Sequence, residues 1–288
     1  MSARAVVIDV GSASRVLVAH IGRLAGFSIV EKTGAAYDHV GAALSDAVLQ
    51  SGINYRSVVW PRVAHILDLY PKLRTSPEFY ALLRAHGAKT ILNWKHEEKP
   101  RRLTELTRYC VQHNLVSCED IAEHVCRGSG RQGLLAIRGI GPKTIDYLSG
   151  LLGIDAVAVD RHIFSFLRQA GVETADYQFV RRTVVKAAEL IGISGRSLDY
   201  SIWAFGAAQR SRELPRLANS VILKSPAGRT SARDQVGVVD GEQSGQGGSV
   251  PAIEDALPDL PASAGAGIDV EIGCGLVEGP AHLASFPE

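Results

Sequence analysis

Two ionisable side chains stand at the starts of predicted helices. Lys143 follows the sequence Gly-Ile-Gly-Pro at residues 139–142, and Asp160 precedes a predicted helix from Arg161 to Ala170. A lysine in the first turn of a helix lies at the positive end of the helix dipole, which disfavours its ammonium form. A neutral amine can attack carbon, and a carboxylate held near a reacting centre stabilises developing positive charge. The two residues therefore predict a site for nucleophilic and electrostatic catalysis.

Each of the two residues also has an ordinary structural role open to it. Lys143 could pair with a phosphate without reacting. Asp160 could cap the helix that begins at Arg161, because aspartate is among the preferred N-cap residues. The capping role and a catalytic role are compatible for Asp160, since a capping carboxylate is held rigidly at the helix end.

The segment from Leu134 to Leu148, with the sequence LLAIRGIGPKTIDYL, predicts a helix-hairpin-helix. Its two glycines permit unusual backbone angles and close approach of a partner, and Pro142 suits the first position of the second helix. The free N–H groups of that helix form a seat for a phosphate. The residues expected to bind the DNA backbone are Gly139, Ile140, Gly141, Lys143 and Thr144. Hairpins of this kind also occur as passive clamps, so this motif alone does not predict an enzyme.

The chain divides by composition into three parts. Residues 36–215 show apolar positions at helical spacing, which predicts an all-α body of about nine helices with short connections. Residues 1–33 are predicted to form a peripheral extension, with short strands at Ala5–Val10 and Phe27–Val30, because β-branched residues are frequent there. The body is assigned to residues 34–216. Residues 217–288, rich in Gly, Ser, Pro and acid, are predicted to be a disordered acidic tail.

The distribution of charge supports a nucleic-acid partner more than the net charge of +1 does. Ten of the thirty acidic residues lie between Asp234 and Glu288, a segment without Lys or Arg. Residues 1–233 therefore carry all thirty-one basic residues and twenty acidic ones. A basic body is what a DNA-binding surface requires, although a basic balance by itself is a weak signal.

Two classes of protein are disfavoured by the sequence. No two of the four cysteines have the close spacing of a zinc or iron–sulfur site, so no metal is expected. No segment has the roughly 20 consecutive apolar residues of a membrane helix, and the first residues lack the pattern of a secretory signal. We expect a cytoplasmic, nucleoid-associated protein that does not contact a membrane.

Two motifs together resemble the helix-hairpin-helix (HhH-GPD) DNA glycosylase superfamily, including its endonuclease III and 8-oxoguanine glycosylase branches. They are Gly139-Ile-Gly-Pro-Lys143 and Val159-Asp-Arg-His-Ile163, and the resemblance extends from about Tyr37 to Arg212. It implies a two-lobed all-α fold that acts, as a monomer, on double-stranded DNA containing a damaged base. By the same resemblance, Lys143 is the nucleophile of the lyase-competent members and Asp160 is the catalytic carboxylate.

The sequence departs from the endonuclease III pattern beyond the helix that resembles Ser201–Gly206. Members of that branch carry four cysteines there, whereas this chain reads Ala207-Ala-Gln-Arg-Ser211. We therefore expect no iron–sulfur cluster and no other cofactor, with a monovalent cation at the hairpin left open. Arg138 also replaces the proline that usually precedes the first hairpin glycine.

The resemblance also suggests where an extruded nucleotide would be handled. The loop after the first helix of the body would fill the gap left in the DNA, and its candidates are Gln50, Asn54, Tyr55 and Arg56. An ordinary helix-helix turn is an equal alternative for this loop. Tyr200 and Trp203 are candidates for the wall of the base pocket, although most such aromatic residues belong to the core. A further basic loop, which could touch phosphate or simply be solvated, contains Trp94, Lys95, Lys99, Arg101 and Arg102.

These motifs imply a glycosylase of base excision repair that cleaves the N-glycosidic bond of a damaged, conceivably oxidised, base. The presence of Lys143 favours an associated abasic-site lyase activity through a Schiff base. Two alternatives stay open at this point. One is a monofunctional, water-using glycosylase, for instance of alkylated bases. The other is a non-catalytic helix-hairpin-helix module that only binds DNA.

Overall fold

The computed structural model describes the backbone of residues 9–222 and the side chains of residues 9–209. All regular structure within these ranges is helical, as the sequence predicts for residues 36–215. A π-helical turn at Tyr55–Val59 precedes α3. The α-helices are α1 Val10–Arg23, α2 Val40–Leu49, α3 Trp60–Leu69, α4 Ser76–His86, α5 Ala88–Ile91, α6 Glu98–Gln112, α7 Cys118–Cys126, α8 Gly128–Leu135, α9 Pro142–Leu151, α10 Arg161–Gln169, α11 Tyr177–Ile191 and α12 Gly195–Ile222.

Local capping chemistry explains where several helices begin. Thr75 and Glu78 form a reciprocal capping box at the start of α4, and Ser117 and Asp120 form another at the start of α7. In such a box each side chain satisfies a backbone N–H that the helix itself leaves free. The helix α11 ends at Gly192, whose φ of 82° is the left-handed conformation common at helix ends. The short connections therefore follow from the sequence at these ends.

Buried side chains form two separate hydrophobic clusters, which we call the first and second clusters. The first cluster contains residues from α2 to α9, among them Leu44, Phe79 and Leu148. The second cluster contains residues from α1, α10, α11 and the start of α12, among them Leu17 and Val184. The prediction of an all-α body with two lobes is confirmed by this arrangement.

The N-terminal segment differs from its prediction. Residues 10–23 form α1, and residues 27–30 have no regular structure, so the strand predicted at 27–30 is wrong. The other predicted strand is wrong at Val10, the first residue of α1, while residues 5–8 lie outside the described part of the chain. Asp9 caps α1 by accepting the Ser12 N–H at 2.9 Å, which starts a helix despite the β-branched residues nearby.

The helix α1 is part of the core. Ala13 and Leu17 are fully buried in the second cluster. The Ser14 hydroxyl donates to the carbonyl oxygen of Thr183 on α11 at 3.0 Å. The extension predicted to be peripheral therefore supplies one of the walls of the second lobe.

At the other end, α12 continues past residue 217, where the tail was predicted to begin, and reaches Ile222. The remaining residues of the predicted tail lie outside the described part of the chain. Across the described helices, none combines the length and the apolar character needed to cross a membrane.

A buried carboxylate connects the two lobes. Asp146 lies on α9, whose apolar side chains belong to the first cluster, and its side chain is 0% exposed. Arg131 on α8 approaches it to 2.9 Å, and Arg181 on α11 approaches it to 3.5 Å. The hydroxyl of Tyr177, also on α11, donates to it at 2.7 Å. Because α11 belongs to the second cluster, Asp146 fixes the hairpin helix relative to both lobes.

We expect Asp146→Ala to lower the free energy of unfolding by about 3 kcal/mol, which urea denaturation measures. Removing one partner of a buried ion pair costs about 3–5 kcal/mol, and the lower end applies because the side chains of Arg131 and Arg181 are 26% and 31% exposed. The matched control is Asp38→Ala, whose pair with Arg74 has side chains 69% and 58% exposed. The control should cost less than about 1 kcal/mol. Equal losses in the two variants would contradict the role given to Asp146.

Candidate active site

The turn of the hairpin depends on Gly139. This residue has a φ of +89°, and a Cβ atom placed on it would lie 2.2 Å from the Nε of Arg102. Both the backbone angle and the close approach of Arg102 therefore exclude a side chain here. The neighbouring Ile140 is only 5% exposed, and its N–H donates to the carbonyl oxygen of Ile137 at 2.9 Å. Ile140 thus anchors the turn in the first cluster, and its side chain is not available to a DNA backbone.

The start of α9 presents free N–H groups. Gly141 is the N-cap residue, and no side chain caps the helix there. A Cβ atom on Gly141 would have no neighbour within 4 Å, so the space in front of the helix is open. Pro142 occupies the first turn, where its missing N–H has no consequence. Lys143 and Thr144 follow in the same turn, and this end of α9 is suited to hold an anion.

Lys143 is half-buried and faces hydrogen-bonding and charged groups. Its Nζ donates to Oε1 of Gln50 at 2.9 Å. Burial lowers the pKa of Lys143 below its usual value of 10.5, and the positive charge of Arg161 acts in the same direction. The carboxylates of Asp160 and Asp199 act on the same amine in the opposite direction. The structure therefore brings Lys143 and Asp160 to one place, as expected from the sequence, and adds Asp199.

Asp160 caps α10. Its Oδ1 accepts the N–H groups of His162 at 2.7 Å and Ile163 at 3.1 Å. The four residues before it, 156–159, are buried, so the carboxylate stands at the end of a firmly packed segment. Both capping bonds use Oδ1, so the cap does not engage Oδ2 of Asp160.

Asp199 is a member of the site that the sequence did not single out. It lies on α12, and its Oδ2 accepts the N–H of Ala158 at 2.8 Å. Burial raises the pKa of Asp199 to about 7, and the negative charges of Asp160 and Asp146 act in the same direction. The Ala158 N–H and Lys143 lower it. The only local signal was an acidic residue one turn before Trp203, and it does not identify a partner.

Gln50 reaches Lys143 from the C-terminal end of α2, and Lys99 holds that end in place. The Lys99 ammonium donates to three carbonyl oxygens, at 3.1 Å to Val48, 2.6 Å to Leu49 and 3.2 Å to Ser51. Burial, followed by nearby positive charges, lowers the pKa of Lys99 to about 8. Lys99, Arg101 and Arg102 were predicted to lie in a basic loop, which is wrong because they belong to α6. Lys99 points inward and fixes the backbone on both sides of Gln50.

The other residues predicted to fill a gap in DNA lie a few positions after Gln50 in the chain. Asn54 is exposed, and its Oδ1 caps the π-helical turn by accepting the Ser57 N–H at 3.0 Å. Arg56 is exposed as well. The hydroxyl of Tyr55 points inward and donates to Asp46 at 2.9 Å. Asn54 and Arg56 are therefore at the surface, whereas Tyr55 and Gln50 are tied to the interior of the site.

The two aromatic residues predicted for a base pocket lie next to each other on α12. The ring centroids of Tyr200 and Trp203 are 5.6 Å apart. The Nζ of Lys32 lies 3.7 Å from the centroid of the Tyr200 ring, a cation–π contact. Burial raises the pKa of Tyr55, Asp46 raises it further, and the nearby Tyr200 adds a smaller rise. These contacts place Tyr200 beside the segment that carries Gln50 and Tyr55.

Three comparisons relate this chain to other proteins. Residues 104–207 match a family described as a domain of unknown function (DUF8548). No curated protein matches the sequence. Among solved structures, the chain is similar to the 3-methyladenine DNA glycosylase MagIII of H. pylori, determined with bound 1,N6-ethenoadenine, at 16% sequence identity and a TM-score of 0.49. That similarity covers 70% of this chain and 99% of the other.

We expect the Asp199→Asn variant to have a lower Lys143 pKa than the unmodified protein. Above pH 7 the carboxylate of Asp199 is ionised and favours the ammonium, so its removal leaves burial and Arg161 less opposed. The asparagine keeps an oxygen that can accept the Ala158 N–H, which preserves the local backbone. Nuclear magnetic resonance of labelled lysine side chains, assigned with Lys143→Gln, measures the change.

The matched control for this measurement is Asp176→Asn. Asp176 caps α11 in the same manner as Asp160 caps α10, yet it is not among the groups that act on Lys143. The control should leave the Lys143 pKa unchanged. A Lys143 pKa that rises or stays constant in Asp199→Asn would show that the electrostatic arrangement described here is incorrect.

Proposed function

We propose that this protein is a DNA glycosylase that removes a damaged base from double-stranded DNA and cleaves the resulting abasic site. One observation carries the proposal: a half-buried lysine amine at the start of the hairpin helix faces the carboxylates of Asp160 and Asp199. The amine is a nucleophile for the sugar C1′, and the carboxylates are suited to stabilise the positive charge that develops there.

The geometry of the hairpin supports the DNA part of the proposal. The open N-terminus of α9 offers N–H groups to a backbone phosphate, and Gly141 leaves the approach clear. Contacts to phosphate position a protein on a duplex without reading its sequence. A phosphate bound at this helix end would set the sugar of a nearby extruded nucleotide close to Lys143, because Lys143 is in the first turn of the same helix.

The chemical step uses the neutral form of Lys143. The nitrogen lone pair forms a bond to C1′, and the base leaves with the electrons of the glycosidic bond and takes up a proton. Opening of the sugar then gives a Schiff base between Lys143 and C1′. Loss of a proton from C2′ expels the 3′ phosphate by β-elimination. Burial favours this path, since it lowers the pKa of Lys143 and enlarges the fraction of neutral amine.

One observation favours a second candidate, the monofunctional glycosylase. Asp160 and Asp199 raise the pKa of Lys143 even as burial lowers it, and an ammonium ion cannot attack carbon. In that case Asp160 would stabilise the sugar cation while water attacks, and Lys143 would serve only as a positive charge. Both candidates require Asp160 to stay ionised near C1′.

The decisive experiment is a panel of duplexes with oxidised or alkylated bases, scored for base release and for covalent trapping by borohydride. We expect the unmodified protein to form a trapped adduct and Lys143→Gln to form none, because only an amine gives a reducible Schiff base. The control Lys186→Gln removes an exposed lysine on α11 that pairs with Glu189. It should trap as well as the unmodified protein. Base release without any adduct would establish the monofunctional candidate instead.

The role of Asp160 has its own variant. Asp160→Asn keeps an oxygen that can cap α10 but removes the charge. We expect base release to slow by about 100-fold or more, the size of effect seen when one group that stabilises a charged transition state is removed. Activity that is unchanged on every duplex of the panel would favour a non-catalytic DNA-binding module.

Substitution of two glycines tests binding of the DNA backbone: Gly141, the N-cap of α9, and Gly150 within α9. We expect Gly141→Ala to weaken binding to undamaged duplex, measured by fluorescence anisotropy, because the new methyl group would stand in the open space before the helix. Gly150→Ala is the control at the other end of the same helix, where a Cβ atom would be 3.7 Å from its nearest neighbour. Equal affinities in the two variants would show that DNA does not approach this end of α9.

A further inference from the structure

A buried carboxylate on α2 accepts hydrogen bonds from three tyrosines. Asp46 is fully buried. Its Oδ2 accepts the hydroxyls of Tyr37 at 2.8 Å and Tyr55 at 2.9 Å, and its Oδ1 accepts the hydroxyl of Tyr147 at 3.1 Å. A buried carboxylate is costly unless its oxygens are satisfied, and here three neutral donors satisfy them without a positive charge.

The three donors come from different parts of the structure. Tyr147 lies on α9, and Tyr55, itself one of the gap-filling candidates, begins the π-helical turn. Tyr37 lies in the segment before α2, and that segment carries none of the site residues. One carboxylate thus holds together a helix, a turn and a connecting segment.

The hydrogen bond between Asp46 and Tyr147 lies one helical turn from the hydrogen bond between Gln50 and Lys143. On α9, Tyr147 follows Lys143 by one turn, and on the other side Gln50 follows Asp46 by one turn. The two helices are therefore joined by two parallel cross-links, Gln50 with Lys143 at 2.9 Å and Asp46 with Tyr147 at 3.1 Å. The second cross-link ends on the fully buried Asp46, so it fixes the rotation of α9 that presents Lys143 to the site.

The same carboxylate controls the turn next to the site. Because the hydroxyl of Tyr55 is held by Asp46, the π-helical turn begins at a fixed position, with Asn54 and Arg56 on its exposed side. The position of Gln50 is fixed in two ways: Lys99 holds the backbone carbonyl groups of Val48, Leu49 and Ser51 on either side of it, and Lys143 holds its side chain. Asp46 therefore positions both the segment that would enter the DNA and Lys143.

We propose that Asp46 is a positioning residue of this site, which holds Lys143 through Tyr147 and the gap-filling segment through Tyr55. This inference rests on the proposed glycosylase function. Asp46 does not touch the DNA, and its two effects are separable because they pass through different hydroxyl groups. Its removal would affect the formation of the Schiff base and the extrusion of the nucleotide together.

Three matched variants, Tyr147→Phe, Tyr55→Phe and Tyr37→Phe, each remove one hydroxyl from the same carboxylate. Formation of the Schiff base is measured by the single-turnover rate of borohydride trapping on a duplex with a preformed abasic site. Extrusion is measured by the fluorescence of 2-aminopurine placed beside a lesion. Thermal unfolding of each variant measures its loss of stability, and we expect similar losses because each variant removes one hydroxyl from the same carboxylate.

We expect Tyr147→Phe to slow trapping by about tenfold, the cost of a lost hydrogen bond to a charged group, with an unchanged fluorescence signal. Tyr55→Phe should reduce the fluorescence change and leave the trapping rate within about twofold of the unmodified protein. Tyr37→Phe should leave both readouts within about twofold, because its segment carries no site residue. Asp46→Asn, which keeps one carbonyl acceptor, should lower both.

Equal effects of the three tyrosine variants on both readouts would overturn the proposal, since they would follow from lost stability alone. Normal readouts in Asp46→Asn would overturn it as well. The proposed function fails differently: in that case the unmodified protein neither releases a base nor forms an adduct. An active unmodified protein with three equivalent variants removes only the role of Asp46.

Discussion

The rest of the structure depends on one constraint. The amine of Lys143 must be half-buried and still lie among oxygen atoms that accept its hydrogen bond or carry the opposite charge. Burial disfavours the charge of Lys143, whereas Asp160 and Asp199 favour it. Burial is the larger influence and lowers the pKa of Lys143, while the two carboxylates oppose it, so changes in the position of these groups alter the protonation of the amine. The surrounding elements must therefore fix the positions closely, and they do so from three directions: α2, the segment before α10, and α12.

Two adjacent residues of α9 carry out most of this positioning. Asp146 is bound to Arg131, Arg181 and Tyr177, and α11 supplies two of these partners. Tyr147 points to the other side and donates to Asp46 on α2. The hairpin helix is thus held by one polar group on each side, and both contacts lie within a turn of Lys143. Polar groups in a core restrict the arrangement of the elements that carry them, because a buried polar atom is costly when it loses its partner.

Local chemistry explains how much could be predicted from the sequence. The hairpin was predictable because glycine and proline act on the backbone where they stand, and the cap of α10 was predictable because Asp160 caps the next residues along the chain. The helix α1 was missed because the β-branched residues before and after it favour strands, while its burial depends on the distant α11. The short α5 and the glycine-rich α8 have too little apolar periodicity to be recognised.

The members of the site that the sequence did not reveal share one property. Asp199 finds its partner in Ala158, and Asp46 finds two of its partners on other elements, Tyr55 and Tyr147. Such pairs depend on packing between elements, so the neighbouring residues in the sequence do not indicate them. Gln50 was chosen for the DNA gap, and its contact with Lys143 became visible only when α2 and α9 were seen side by side.

The place of α1 in the second lobe has a practical consequence for recombinant work. A gene fragment that starts at residue 34 would delete Ala13 and Leu17 and leave the groove of α11 open to solvent. Uncovered apolar surface of this kind promotes self-association, so a shortened version of the protein would be prone to aggregate during expression. Fusion tags are better joined before Asp9, where the chain can keep its own first helix.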